Sequence, residues 1–483
     1  MRTIPLAIIG AGPAGMAAAA TAARYGLKPV LFDEQPAPGG QIYRALESTP
    51  LRRPELLGED YWHGKSLVQA LRDGAIDYRP GHTVWQLNRD GEVGLLAGDR
   101  AELIRAERIV LATGAQERPF PIPGWTLPGV MGAGAAQVLL KTSGVAAQAP
   151  LVLAGSGPLL YLVAAQYSRA GAAVAAILET TPRENFRHAA GHIGGAVKGW
   201  RYLRKGLSLL KELKRAGIRH EHQVTELHAE GNGRLQHVRW RTAARPDVWQ
   251  QCDATTLLLH HGVVPNVQMT RALGGEHDWS EAQLCWCPRR DSLGRSDIEG
   301  FFIAGDGGGI GGAKSAALQG ELAALAALAS LDLLDDVALH RETAPRHRAL
   351  ASELAIRPFL DALYRPGDRW RRPADEVIVC RCEEVSAGEV RRVAKLGCSG
   401  PNQMKSFTRC GMGPCQGRLC GLTVSEILAE ETGQSIEQTG YYRLRPPFKP
   451  ITLGQMASAA DGTDYGQRQQ QGSTAVVTEK ASS

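Results

Sequence analysis

Five short apolar runs punctuate the chain, each closed by glycine, an acid or Thr-Gly: Leu6–Ile9, Val30–Phe32, Ile109–Ala112, Leu151–Ala154 and Phe301–Ala304. Runs of this length without polar interruption predict strands buried on both faces. Pro5 is expected at the start of the first strand, where a missing N–H is tolerated. Ala17–Arg24 is nearly all alanine and predicts a slim helix, with Gly26 just past its end. The Ala/Leu-rich stretch 322–334 is interrupted by Asp332 and followed by Asp335 and Asp336, so it predicts a packed helix and not a membrane span. Residues 331–375 read as helical and then basic, with Arg369, Arg371 and Arg372 around Trp370 forming a linker or a docking surface. A further helix is predicted over 424–431. Pro446, Pro447 and Pro450 mark an extended segment, and the Ser/Gly/Gln-rich chain beyond Ala457 is expected to be disordered.

The first run leads straight into Gly10, Ala11, Gly12, Pro13, Ala14 and Gly15, a match to G-x-G-x-x-G. The first glycine makes the tight turn, the second admits a pyrophosphate, and the third lets helix pack on strand. Asp33, with Glu34 beside it, stands at the end of the second strand, about 20 residues on, where a carboxylate binds a ribose hydroxyl. Strand, helix, strand and acid in register predict a dinucleotide site. A second fingerprint, Gly155-Ser-Gly-Pro-Leu-Leu160, follows Leu151–Ala154. Leu160 replaces its third glycine and should push the helix off the strand or fill the pocket floor. Glu179 is a candidate ribose ligand there, and Arg183 or Arg187 a 2′-phosphate ligand. The expectation is a retained fold without a working nicotinamide site. His260 and His261 are read as structural.

The chain has 483 residues, enough for two to four domains, and its net charge of +6 is spread without a Lys/Arg run. That balance argues against nucleic acid as the main partner. No secretory or membrane-spanning pattern is read, and unpaired cysteines fit a reducing interior. A cytoplasmic location is therefore expected, with peripheral association at the inner membrane compatible with it. Five of the nine cysteines change the picture: Cys380 and Cys382, then Cys410, Cys415 and Cys420. Thiolates at this spacing, among glycines 411, 413, 417 and 421, predict an iron–sulfur or zinc centre. Spacing alone does not choose the four ligands, because 410/415 and 415/420 are both Cys-x4-Cys. Cys252, Cys285 and Cys287 are read as structural. The chain lacks a Cys-x-x-Cys pair beside either glycine motif, which counts against a disulfide reductase.

Pro38-Gly-Gly-Gln-Ile-Tyr-Arg44 resembles the flavin-contacting turn of thioredoxin-reductase-like flavoproteins, through Gly40 and Gln41. Ala112, Thr113 and Gly114 after one strand, and Gly305 and Asp306 after another, fit the same superfamily in order and spacing. The resemblance implies FAD, not NAD, at the first site. Taken with Cys380-Arg-Cys-Glu-Glu, Thr408-Arg-Cys-Gly-Met-Gly-Pro-Cys-Gln-Gly-Arg-Leu-Cys420 and Tyr442-Arg-Leu-Arg-Pro-Pro-Phe-Lys-Pro450, these pieces resemble one group. It is the α (or A-type) subunits of multi-subunit bacterial amino-acid dehydrogenases. The group includes the A-type chains of opine oxidase, D-hydroxyproline dehydrogenase, the B-type chains of hydrogen cyanide synthase and dye-linked proline dehydrogenase.

The resemblance implies an α/β flavoprotein with two dinucleotide-binding (FAD/NAD(P) Rossmann-like) domains and a C-terminal BFD-like [2Fe-2S] domain. Expected boundaries are 1–125 and 263–332 for FAD, 126–262 for an inserted NAD(P)-like domain, and 333–375 for the linker. The cluster domain is expected over 376–435 and a C-terminal extension over 436–483. In the related glycerol-3-phosphate dehydrogenase module the residue matching Cys410 is not cysteine. That implies Cys380, Cys382, Cys415 and Cys420 as cluster ligands. The resemblance further implies a partner β subunit similar to D-amino-acid oxidases, an FMN at their interface, and room for a small third subunit. Substrate oxidation belongs to the β subunit, and the present chain needs no catalytic acid or base. The rivals are a self-sufficient NAD(P)H-dependent flavin/iron–sulfur reductase and a nucleotide-binding scaffold.

Overall fold

In the computed structural model, residues 1–51 and 53–460 are described. The first apolar runs assemble a seven-stranded sheet. Arg2–Ile9 lies at its centre, parallel to Val30–Asp33 on one side and Arg100–Leu111 on the other, with Ile9 facing Phe32 and Leu111. Asp77–Pro80 extends the parallel half, and His82–Leu87 and Glu92–Ala97 fold as an antiparallel arm. Phe301–Ile303 joins beside Arg100–Leu111, so the chain leaves this sheet and returns to it some 190 positions later. The first strand starts earlier than its apolar run and Pro5 lies inside it. Residues 2–6 pair only with Arg100–Leu111, and the missing N–H is tolerated on the open side.

Helices Pro13–Arg24 and Ala313–Ser330 pack side by side on this sheet. Small residues set their distance: a Cβ on Gly320 would lie 2.0 Å from the Ala14 carbonyl oxygen. Ala313–Ser330 is apolar on almost every face because it is buried on almost every face. It ends two residues before Asp332, which adopts φ +58.

Between the two visits to the first sheet, the chain builds a second one. Its order is Arg219–Glu221, Val174–Glu179, Leu151–Gly155, Thr256–His260 and Val130–Gly132, all parallel. A three-stranded antiparallel meander, 224–253, lies over it and buries Trp240 completely.

Three helices follow: Asp336–Leu354, Arg357–Leu363 and Asp368–Arg371. The basic stretch around Trp370 is an internal strut, not a docking surface. Trp370 is buried edge-on against Phe120 and beside His261. Arg371 pairs with Asp368 and with buried Glu426, and Arg372 reaches Glu430 at 3.1 Å. These contacts join the linker to the carboxy-terminal lobe.

That lobe consists of a short hairpin, Ile378–Cys380 with Val385–Ser386, and helices Ala387–Lys395, Pro401–Thr408 and Gly421–Thr432. Ser386 and Glu389 form a reciprocal cap on the first helix. The chain then crosses back to the first sheet. Phe448 is buried among Ile4, Ile9, Val84 and Phe301, and its N–H donates to the Trp85 carbonyl at 2.8 Å. Residues 458–460, expected to be disordered, continue a helix, Leu453–Ala460, along Arg100–Leu111. The remainder of the expected tail lies outside the described residues.

Candidate functional site: a dinucleotide cradle beside a cysteine cluster

The cradle forms where strand ends meet helix starts. Gly10 has φ +103, and a Cβ there would stand 2.5 Å from the Ala112 carbonyl oxygen. A Cβ on Gly15 would collide with the Gly10 carbonyl at 1.8 Å. At Gly12 the nearest atom to a Cβ is Gly40 Cα at 3.8 Å, an ordinary contact, so no backbone atom crowds this position. The first and third glycines serve the fold, and the second leaves room for a ligand. Helix Pro13–Arg24 begins at this point with its free N–H groups and positive dipole end, a favourable setting for a pyrophosphate.

Asp33 is buried, and both its oxygens are engaged by backbone. Ala11 N–H donates to Oδ2 at 2.5 Å and Gln35 N–H donates to Oδ1 at 2.7 Å. Burial pushes its carboxyl upward in pKa, against those two donors. Asp33 thus fixes the glycine turn itself. The exposed Glu34 beside it pairs with Lys449 at 2.9 Å. The Gly-Gly-Gln turn closes on the same loop: Gly39 N–H donates to Ala11 oxygen at 2.8 Å, and Gly40, at φ +58, leaves a Cβ only 2.8 Å from Gly12 Cα.

Lys141, from the inserted sheet's first helix, Ala133–Ser143, is buried and donates to the carbonyls of Gln41 and Ile42 at 3.2 and 2.9 Å. Sequence reasoning missed it, because a lone lysine in an alanine-rich helix carries no motif. Ala112, Thr113 and Gly114 lie over the first turn, with Thr113 Oγ1 donating to the Asn266 carbonyl. Gly305 fits between Ala14 and Ala316. Asp306 Oδ1 accepts from Gly311 and Gly312 N–H, each at 2.9 Å, just before helix Ala313–Ser330. The loops that carry the expected flavin-site residues are thus brought together around the glycine turn at the carboxyl ends of the strands.

The second fingerprint differs. Leu160 is completely buried in the core with Leu151 and Leu153. Gly157 faces the His260 ring, whose Nδ1 lies 2.8 Å from Glu117 Oε1. His261 stacks on Phe120 at 3.8 Å and meets Thr180 at 2.8 Å. Glu179 is occupied by Thr181, His220 and His222.

The five motif cysteines converge. Cys380, Cys410 and Cys420 are buried, with their sulfurs mutually within 4.8 Å. Cys382 is exposed and neighbours Cys415. A Cβ on Gly413 would lie 2.2 Å from Cys382 Cβ, so glycine there allows the two loops to touch. Hydrogen bonds from Cys410 and Cys420 pull Cys380 down to about 2, while Cys410 is pushed up to about 12 by the same exchange. Three buried sulfurs gathered at one point, with a second cysteine pair beside them, form a soft-metal donor set that fits an iron–sulfur cluster or zinc. The structure places Cys410 in the same group of sulfurs as Cys380 and Cys420, although the family resemblance leaves Cys410 out of the ligand set. Tyr442, read in the sequence only as part of the family resemblance, reaches the cysteine loop: its hydroxyl donates to Cys410 Sγ at 3.4 Å, and Gly411 and Gly417 are flat against its ring.

The two centres are neighbours. Gln116, just past the Ala112–Gly114 loop, donates to the Arg418 carbonyl at 3.0 Å, and Val264 shares a hydrophobic cluster with Cys380, Cys410 and Cys420.

Residues 4–320 match the pyridine nucleotide-disulphide oxidoreductase family, and residues 376–460 match the sarcosine oxidase A3 domain. The A-type chain of opine oxidase from Rhizobium meliloti is 43% identical over 93% of this chain and 86% of its own length. The chain belongs to the family of opine oxidase A-type subunits. The HcnB chain of hydrogen cyanide synthase from Pseudomonas aeruginosa is 35% identical, over 92% of this chain and 96% of that protein. The crystal structure of L-proline dehydrogenase from P. horikoshii superposes with a TM-score of 0.67 over 94% of this chain and 79% of that one. At 20% identity that likeness speaks for the fold. This member of the opine oxidase family is thus an oxidoreductase subunit with an FAD-binding, two-Rossmann architecture. No helix among its described residues is long and apolar enough to cross a membrane.

Proposed function

We propose that this chain is the FAD- and [2Fe-2S]-carrying electron-transfer subunit of a multi-subunit dehydrogenase. That enzyme oxidises the C–N bond of an amino acid, imino acid or opine, such as D-hydroxyproline, octopine or nopaline. The observation that carries the reading is the contact between the Ala112–Gly114 edge of the cradle and the cysteine lobe, through Gln116 and Arg418. Bound FAD supplies two-electron and one-electron chemistry, and a [2Fe-2S] cluster supplies one-electron chemistry. Gly10–Gly15 would hold the pyrophosphate. Asp33, Glu34, Gly40, Gln41, Ala112–Gly114, Gly305 and Asp306 would enclose the rest of the flavin nucleotide. Cys380, Cys382, Cys415 and Cys420 would ligate the cluster. Arg418 and Tyr442 position the cysteine loops through Phe448 and Cys410.

Substrate oxidation is assigned to a β subunit similar to D-amino-acid oxidases, with FMN at the shared interface and a small third subunit as a further partner. The names of the relatives support an amino-acid or opine substrate. The engaged state of Glu179 and the buried Leu160 disfavour the alternative, an NAD(P)H-dependent flavin/iron–sulfur reductase. The deciding experiment is expression alone and together with the neighbouring oxidase-like gene. The isolated chain should neither turn over these substrates nor have its flavin reduced rapidly by NADH or NADPH. The complex should reduce an artificial dye. Turnover of substrate by the isolated chain overturns the division of labour, and rapid bleaching by NADH establishes the alternative.

A further inference from the structure

A second group of metal-ligating side chains lies on the inserted sheet, outside the cradle and the cysteine lobe. Glu179 ends strand Val174–Glu179. His220 lies on the neighbouring strand, Arg219–Glu221, and His222 follows it. Residues 220 and 222 are two apart and so share one face of the extended chain. The intervening Glu221 points the other way, where it pairs with Arg219 at 2.7 Å and faces Arg245 at 4.0 Å. The nearby guanidinium charge is therefore met on the opposite face. One ligand atom from each of Glu179, His220 and His222 lies within 4.8 Å of the other two.

The hydrogen bonding of this group is incomplete in one respect. Glu179 Oε1 accepts from Thr181 at 3.0 Å, and Oε2 faces His222 Nδ1 at 2.7 Å. His220 Nε2 lies 3.3 Å from the same Oε2, makes no hydrogen bond and is sealed from water. The Glu179 carboxylate, which Tyr161 also hydrogen-bonds, gives His222 a well-aligned partner and His220 only a poorly aligned one. An ion would account for both. Ligands on a four-coordinate zinc, with bonds of about 2.0–2.1 Å, stand roughly 3.3–3.4 Å apart. His220 and Glu179 already have that separation, and His222, whose side chain is 63% exposed and now sits 2.7 Å from Glu179, is free to swing outward to reach it. Tyr161 meets the His220 ring edge-on at 5.8 Å and closes the inner side, leaving the His222 side open to a water ligand.

We propose that Glu179, His220 and His222 form a binding site for one divalent transition-metal ion, zinc being the best fit to two imidazoles and a carboxylate. The ion fastens the edge strand of the inserted sheet to its neighbour. It also occupies the strand-end position at which a dinucleotide fold would otherwise offer its acid to a ribose.

The test is zinc chloride titrated into the full chain carrying its cofactors, with zinc, iron and flavin measured after dialysis. Wild type, His222→Ala and Glu179→Gln are compared. Zinc bound by the cysteine lobe is common to all three proteins and cancels. The expected result is one more zinc per chain in the wild type than in either variant, at unchanged iron and flavin. Added zinc should also raise the melting temperature of the wild type alone. His222 is exposed, so its variant folds, and retained flavin verifies this. Equal zinc in the wild type and His222→Ala overturns the proposal.

Discussion

Single positions in the cradle separate fold from ligand. Gly12→Val meets only an ordinary contact, with Gly40 Cα, so the apoprotein should unfold at nearly the wild-type urea midpoint while purified protein loses its flavin absorbance. Gly10→Ala does the reverse first. It meets the Ala112 carbonyl at a positive φ, and such strained positions cost about 1–3 kcal/mol, readable as a lower midpoint. His261 makes a different prediction. Burial first, and then the charge of Arg118, hold its pKa well below the usual histidine value. The unfolded chain therefore binds a proton near pH 6.5 that the folded chain refuses. Stability is full above that pH and falls as pH drops through it, by about 1.4 kcal/mol per pH unit. Urea midpoints at pH 7.5 and 5.5 should show the fall, and His261→Gln should make it shallower.

At the scale of elements, the cysteine lobe gives the sharpest test. Cys382→Ala and Cys415→Ala should lose iron and acid-labile sulfide, while Cys410→Ser should keep them. Iron lost from Cys410→Ser and kept in Cys420→Ser would move the fourth ligand to Cys410, whose sulfur also lies within 4.8 Å of Cys380. Much of this scale was legible beforehand. The strands after which Gly10, Ala112, Gly155 and Gly305 stand were visible because runs buried on both faces have no polar interruption. The helix predicted over 424–431 was found as Gly421–Thr432. The strut around Trp370 was not legible. Three arginines beside a tryptophan look alike whether they face solvent or Glu426 and Glu430, and their partners lie more than 50 positions away. The contacts of Tyr442 and Lys141 were hidden for the same reason: each residue acts on a loop far off in sequence, and no local periodicity marks a single long-range contact.

For the whole molecule, the carboxy-terminal return is decisive. Phe448 fills the core beneath the first strand, and Arg418 holds the Phe448 carbonyl from the cysteine lobe at 2.7 Å. Truncating a buried phenylalanine costs about 3–5 kcal/mol. Phe448→Ala should therefore lower the unfolding midpoint of the flavin lobe and its flavin retention, although no flavin-site residue is altered. Differential scanning calorimetry with a flavin assay on the same sample checks both.

That return also sets a timetable. A ribosome releases the chain from its amino end at about 5–20 residues per second, so Phe448 emerges roughly 20–90 seconds after Met1. Until then the sheet that begins at Arg2 lacks one of its core side chains. Nascent chains arrested before residue 440 should bind FAD weakly in a ribosome-bound fluorescence assay, and chains released after residue 460 should bind it fully. A segment made long after Arg2 completes the sheet that Arg2 begins.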